Sequence, residues 1–190
     1  MGIEHHFLSL LTGSFASPAD ENPTVAMIEA AYRAMGLDAR YINCDVPPAV
    51  LGDAVRGARA MEWRGFNCSI PHKIAVIEHL DALAPSAALI GAVNCVVLQG
   101  GRLVGENTDG QSFLDSLRTV AEPARSRVAL FGAGGAARAI AVELALAGAA
   151  HITVVNRRIG PARELAELIA GRTGAQADAM PWLPRHRVSE

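Results

Sequence analysis

The stretch Gly65-Phe66-Asn67-Cys68-Ser69-Ile70-Pro71-His72-Lys73 decides the fold. Phe66, Cys68 and Ile70 alternate with Asn67 and Ser69, the period of a strand with one buried face. Pro71 has no N–H to give to a ladder, so the strand is expected to end at Ile70. The same proline suits the first turn of a helix, and Ile74, Val76, Ile77 and Leu80 follow at helical spacing. Lys73 therefore stands at a strand-to-helix crossing, where open α/β sheets hold their ligands. A lysine there is either a plain surface cation or a partly desolvated amine whose pKa falls toward the range useful for proton transfer.

On the N-terminal side the pattern alternates between the two periods. Phe7 to Leu11 has strand length, and a polar loop from Gly13 through Asn22-Pro23 follows it. Thr24 can cap a helix with Val25, Ile28, Ala31, Tyr32 and Met35 on one face, ended by Gly36. Ala39 to Val46 reads as a strand. Pro47-Pro48 then opens a helix to about Met61, with Val50, Leu51, Ala54, Val55, Ala58 and Met61 on its buried side. Strand, helix, strand, helix, strand implies a mainly parallel sheet with right-handed crossovers.

On the C-terminal side, Gly91-Ala92-Val93-Asn94-Cys95-Val96-Val97 and the run ending in Gly105-Glu106-Asn107-Thr108-Asp109-Gly110 read as two strands of a hairpin turning at Gly100-Gly101. Gln111 to Val120 reads as a helix striped by Phe113, Leu114, Leu117 and Val120, and Glu122 to Ser126 as a linker. Val128 to Phe131 is then a buried strand running straight into Gly132-Ala133-Gly134-Gly135-Ala136-Ala137 and an Ala-rich helix. Between a strand and a helix, Gly-x-Gly-x-x-Ala is a dinucleotide fingerprint: the glycines admit a pyrophosphate close to the backbone, and the helix N-terminus offers it free N–H groups. The next strand, His151 to Val155, leads into Asn156-Arg157-Arg158 in place of the acidic residue that would accept from an NAD ribose and repel a 2′-phosphate. Two guanidiniums there suit a phosphate, which favours NADP.

Three of these segments, Asn67-x-Ser69-x-Pro71-His72-Lys73, Gly91-Ala92-Val93-Asn94 and Asn107-Thr108-Asp109-Gly110, resemble the shikimate dehydrogenase family in kind and in order. The resemblance implies NADP-dependent, reversible reduction of 3-dehydroshikimate to shikimate in chorismate and aromatic amino-acid biosynthesis. It implies Lys73 and Asp109 as the catalytic pair, sharing the proton that a carbonyl needs when it takes up hydride. An ordinary surface ion pair between them is the alternative. Ser69, Asn94 and Asn107 would meet the substrate. Asn22 and Thr24 fall where the family has two serines that hold the substrate carboxylate; the other reading is that they only cap the helix. Ser14 and Ser17-Pro18 imitate that serine motif several residues early. For the cofactor, the resemblance assigns Gly132, Ala133, Gly134, Gly135, Ala136, Asn156, Arg157 and Arg158, and it puts Pro161 where the family often has a further basic residue.

The expected fold class is therefore α/β, with a mainly parallel βαβ substrate domain over 1–122 followed by an incomplete Rossmann-like NADP-binding domain over 127–190, of which about 173–190 reads as an irregular tail. The family continues for a further strand series that has no counterpart here, and this keeps two other readings open. One is a truncated, weakly catalytic homologue that binds shikimate- or quinate-like ligands or adenine nucleotide. The other is an interaction protein that uses the unpaired edge of the strand at Val128 to Phe131. The dehydrogenase reading itself admits completion of the half-domain by a second copy in a homodimer.

Composition bounds the partners. The chain has 190 residues, 51% hydrophobic and 19% charged, with a formal net charge of −2. No basic cluster extends beyond Arg157-Arg158, which argues against nucleic acid and anionic membrane. No signal peptide or membrane-length apolar run is read. Cys44, Cys68 and Cys95 lie in apolar alternating runs and imply buried, reduced thiols in a cytoplasmic protein. The six histidines show no metal-ligand spacing, so no metal is expected.

Overall fold

The computed structural model describes residues 8–182. They form two compact units, the first comprising residues up to Ala84 with Val93–Glu106, the second Pro85–Ala92 with Asn107 onward. This division departs from a boundary near residue 122. The helix Pro85–Ile90 (α4) and the helix Asp109–Leu117 (α5) both pack on the Ala-rich helix Gly135–Leu146 (α6), so they belong with the second unit.

The first unit is a six-stranded sheet in the order β2-β1-β3-β5-β6-β4. Its strands are β1 (Leu10–Ala16), β2 (Ala39–Asp45), β3 (Gly65–Cys68), β4 (Ala82–Leu83), β5 (Cys95–Gln99) and β6 (Arg102–Glu106). The pairs β1–β2, β1–β3 and β4–β6 are parallel, while β3–β5 and β5–β6 are antiparallel. The β5–β6 turn is at Gly100-Gly101, both at positive φ (55° and 78°), as a two-residue hairpin turn of matching twist requires.

Several expected boundaries move. The first strand is Leu10–Ala16 rather than Phe7–Leu11 (Phe7 lies outside the described residues), because Thr12 and Ser14 bond to side chains on one face while Phe15 stacks on Phe66 at 4.4 Å on the other. The helix α1 (Thr24–Ala34) lays Val25, Ile28 and Tyr32 on the sheet but leaves Ala31 and Met35 exposed. After Pro47, a 3-10 turn over Pro48–Val50 precedes the helix α2 (Leu51–Ala60), which buries Leu51, Val55 and Ala58 but exposes Val50 and Met61. The strand β3 ends at Cys68, and Ile70 is 75% exposed, since the chain has already turned to bond Ser17 N–H to the Ile70 carbonyl. The helix that follows is one short turn, α3 (His72–Ala75), continued as 3-10 over Val76–His79.

The second unit is a parallel three-stranded sheet, β7-β8-β9, of Arg127–Phe131, His151–Asn156 and Gln176–Pro181. The α6 helix and the helix α7 (Ile159–Thr173) connect the strands. Its core joins Leu114, Ala141, Leu144, Ile152, Val154, Leu165 and Ile169. The expected helix stripe on α5 is narrower than read: Leu114 is buried, whereas Phe113 and Val120 are exposed. The expected irregular tail is in part the strand β9; residues 183–190 lie outside the described residues. Small residues at Ala137, Ala139 and Ala141 let α6 approach its neighbours, and Gly110 shows how closely. A Cβ there would meet the Ala139 carbonyl oxygen at 2.5 Å and its carbon at 2.9 Å, so the Asn107–Gly110 turn can sit on α6 only with glycine at that place.

Candidate functional site

In the first unit the carboxyl ends of β1, β2 and β3 are tied into one corner. Ser69 N–H donates to the Phe15 carbonyl at 3.0 Å, Val46 N–H to the Ala16 carbonyl at 2.8 Å, and His72 Nε2 lies 2.7 Å from the Val46 carbonyl oxygen. His72 is 1% exposed, so its ring is a strut between β2 and α3 rather than a surface group. The next residue, Lys73, is half-buried, and its carbonyl accepts the N–H of Val93 at 2.7 Å. Asn94 closes the same corner: its carbonyl accepts Cys68 N–H (2.9 Å) and Asn67 Nδ2 (3.3 Å), and its own N–H donates to Glu106 (3.0 Å). Of the first-unit residues singled out from the sequence, Ser69, Lys73 and Asn94 are thus brought together. Cys68 beneath them is buried, and desolvation, with a smaller contribution from Cys95 set against an opposing one from Lys73, pushes its thiol up to about 12. Cys44 and Cys95 are only half-buried, less than their apolar surroundings in the sequence imply, and burial pushes both thiols upward.

The loop after β1 closes the corner. Asn22 Oδ1 accepts Thr24 N–H at 3.0 Å and Asn22 Nδ2 donates to Ser14 Oγ at 3.1 Å, so Asn22, not Thr24, supplies the helix-capping acceptor. Ser14 Oγ in turn donates to Asn43 Oδ1 at 2.9 Å, and Asn43 Nδ2 donates to the Asn22 carbonyl at 2.8 Å. Sequence reading missed Asn43 and Tyr41. The signal was register: Asn43, Ser14, Asn67 and Cys95 are successive Cα partners across β2, β1, β3 and β5. Tyr41 OH donates to Asn67 Oδ1 at 2.9 Å, and desolvation, foremost among its causes, raises the phenol pKa.

In the second unit, Asn107 is 4% exposed and its amide is spent inside the unit: Nδ2 donates to the Ala92 carbonyl at 2.9 Å, and Oδ1 accepts Asp109 N–H at 3.1 Å. Asp109 is the first residue of α5. Arg172 Nη1 binds the carbonyls of Ala88 and Leu89 at the end of α4. Burial, first among the causes, lowers the pKa of the neighbouring Arg138, with Glu164 opposing.

At the carboxyl end of β7 and β8, a cavity of about 420 Å³ is lined by Ala133, Gly134, Asn156, Arg157, Arg158 and Pro161. Gly132 has φ +113°, and no atom lies within 4 Å of where a Cβ on Gly132 or Gly134 would stand, which leaves the strand-to-helix turn open to a close-lying group. Asn156 Nδ2 donates to the Arg158 carbonyl at 2.9 Å and so fixes the turn that carries both arginines. A nucleotide whose pyrophosphate meets the head of α6 and whose ribose phosphate meets Arg157 and Arg158 fits these residues. Among the described residues no three His, Cys, Asp or Glu side chains gather as a metal site, and no helix is long and apolar enough to cross a membrane.

Residues 15–96 match the shikimate dehydrogenase substrate binding domain. A shikimate dehydrogenase (NADP(+)) of Symbiobacterium thermophilum is 46% identical over 162 residues, which cover 84% of this chain and 53% of that protein. Among solved structures, ligand-free 5-ketofructose reductase of Gluconobacter sp. strain CHM43 is 61% identical with a TM-score of 0.83, covering 97% of this chain and 66% of that one. Shikimate 5-dehydrogenase of Thermus thermophilus, in complex with NADP(H) and shikimate, is 35% identical with a TM-score of 0.76, covering 88% and 62%. Over residues 15–96 the chain thus matches the substrate binding domain of shikimate dehydrogenase, and over most of its length it is similar to NADP-dependent shikimate dehydrogenases. It spans about half to two thirds of the length of these relatives.

Proposed function

We propose that the chain carries the substrate unit and the phosphate-binding half of the cofactor unit of an NADP-dependent dehydrogenase of the shikimate dehydrogenase kind. The observation that carries this reading is the cavity in which Gly134, at the head of α6, shares a wall with Asn156, Arg157 and Arg158. The reaction is the reversible exchange of a CH–OH for a ketone, 3-dehydroshikimate and shikimate being the pair that follows from the curated relatives. Bound NADP(H) supplies or takes the hydride. Lys73 gives a proton to the carbonyl oxygen and recovers it in reverse, Asp109 is the second member of the catalytic pair, and Ser69 and Asn94 bind substrate hydroxyls. Asn107 acts through Asp109, whose N–H it accepts. Three free thiols support a reducing, cytoplasmic setting.

A second reading, reduction of 5-ketofructose, is favoured by the 61% identity to the Gluconobacter reductase. The test is NADPH formation from NADP⁺ with shikimate, and NADPH consumption with 5-ketofructose, each with Lys73→Ala as control. Turnover lost in the variant supports the dehydrogenase. NADP⁺ binding without turnover of either substrate moves the chain to a nucleotide-binding homologue.

A further inference from the structure

We infer that Tyr41 is a positioning residue for substrate binding: its buried phenol fixes the amide of Asn67, and Asn67 in turn holds the backbone from which Asn94 reaches the substrate. The inference rests on the dehydrogenase reading above, which gives Asn94 its substrate role. It adds a residue that lies outside the three sequence motifs, and it gives work to Asn67, the first residue of one of them.

The first ground is placement. Tyr41 stands on β2 opposite Thr12 of β1, while Asn67 stands on β3 opposite Ser14 of β1 and Cys95 of β5. The phenol, 5% exposed, therefore reaches past β1 to donate to Asn67 Oδ1 at 2.9 Å. From its other end the same amide donates through Nδ2 to the Asn94 carbonyl at 3.3 Å, an oxygen that Cys68 N–H also binds at 2.9 Å. Asn94 N–H donates to the Glu106 carbonyl at 3.0 Å. The backbone at the start of β5 is thus held from β3 on one side and from β6 on the other, and the hold from β3 runs back to β2 through Tyr41.

The second ground is the sense of these bonds. A carbonyl only accepts, so Asn67 must turn its nitrogen toward Asn94; a flipped amide would set two oxygens against each other. The oxygen of Asn67 then faces β2 and needs a donor, which the phenol supplies. Burial, first among the causes, raises the phenol pKa against an opposing bond from Ser14, so the hydroxyl keeps its proton to donate. Each bond in such a chain polarises the next, and the Asn67 amide is settled only while both ends are engaged. Phenylalanine at position 41 would fill nearly the same space and leave Asn67 Oδ1 without this donor. The amide could then swing about its terminal torsion, whose well is broad, and the Asn94 carbonyl would keep the Cys68 bond alone of the two. The Asn94 side chain would lose its fixed bearing while the sheet stayed intact.

The experiment is a double-mutant cycle read by equilibrium binding of shikimate and of 5-ketofructose to the 190-residue chain, with NADP⁺ binding on the same samples as control. The cycle uses Tyr41→Phe, Asn94→Ala and the two combined. Asn67→Asp, which keeps the acceptor for Tyr41 and removes the donor to Asn94, is the second probe should Tyr41→Phe not fold. Tyr41→Phe is expected to weaken the bound substrate by about three- to tenfold and to leave NADP⁺ within about twofold. In the Asn94→Ala background the same change should shrink to less than about twofold, because the residue it acts through is gone. Equal losses in both backgrounds, which a general loosening of the core would give, overturn the inference, as does Tyr41→Phe binding substrate like the parent chain. In either case substrate and NADP⁺ binding by the parent chain leave the dehydrogenase reading standing, whereas a folded parent chain that binds neither substrate overturns both.

Discussion

The buried amide of Asn107 accepts the backbone N–H of Asp109 at 3.1 Å while its own nitrogen donates to the Ala92 carbonyl at 2.9 Å. One side chain therefore joins the start of α5 to the end of the α4 segment. Replacing it with Leu leaves a buried acceptor and a helix-start donor without partners. Asn107→Leu is expected to cost about 1–3 kcal/mol in urea unfolding. In any assay of turnover it should lower kcat more than it raises KM, because it displaces Asp109 and not the substrate contacts of the first unit.

Gly110 has no room for a side chain. Gly110→Ala forces a methyl group against the Ala139 carbonyl, and backbone cannot yield as a side-chain tip would. The expected loss is about 1–3 kcal/mol, read as a lowered thermal midpoint. Ala139, on the facing helix, has no shorter residue than glycine to relieve the clash, so Ala139→Gly should not rescue the variant: the obstacle is its carbonyl.

Cys68 should be the last of the three thiols to react with an aromatic disulfide under native conditions, after Cys44 and Cys95. Its thiol is held protonated up to about 12 in the folded chain, whereas an unfolded thiol ionises near about 8.5. The folded state thus binds the extra proton between these values, and stability is full below the lower one and falls as pH rises above it. Cys68→Ala should flatten that alkaline decline in a series of denaturant titrations.

Arg157→Ala/Arg158→Ala should weaken NADP⁺ binding by about ten- to a hundredfold while changing NAD⁺ binding little, as measured by calorimetry. Equal losses for both nucleotides would remove the ribose phosphate from these side chains, which line the cavity with Asn156 and Pro161.

Much of this was legible in the sequence because local chemistry and tertiary position agree there. Gly100-Gly101 requires a hairpin turn, and Gly132 to Ala137 sits between a strand and a helix as the fingerprint demands. The first strand was displaced because Thr12, half-buried, and Ser14, buried, are polar residues on the sheet face below α1, where alternation of hydrophobicity fails as a guide. Ile70 misled in the opposite direction: an apolar residue at strand period lies exposed beyond the last ladder bond. The strand β9 was invisible because Gln176 to Pro181 is a weakly apolar edge, and its place follows only from pairing with β8. The domain boundary was hidden too, since α4 and α5 join the second unit by packing Ile90 and Leu114 into clusters with the side chains of α6, and no break in composition marks the place.

The order β7-β8-β9 puts β8, with Ile152, Val154 and Val155 buried, in the middle of its sheet. The strand that feeds the phosphate turn, β7, has one paired neighbour among the described residues and no fully buried side chain. Its amides should exchange with solvent well before those of β8, so the turn at Gly132 hangs from an edge strand rather than from the buried centre of the sheet. A nucleotide seated on that turn would then act as a clasp: part of its binding free energy goes into quieting β7, and hydrogen exchange in β7 would slow on loading while β8 hardly changes.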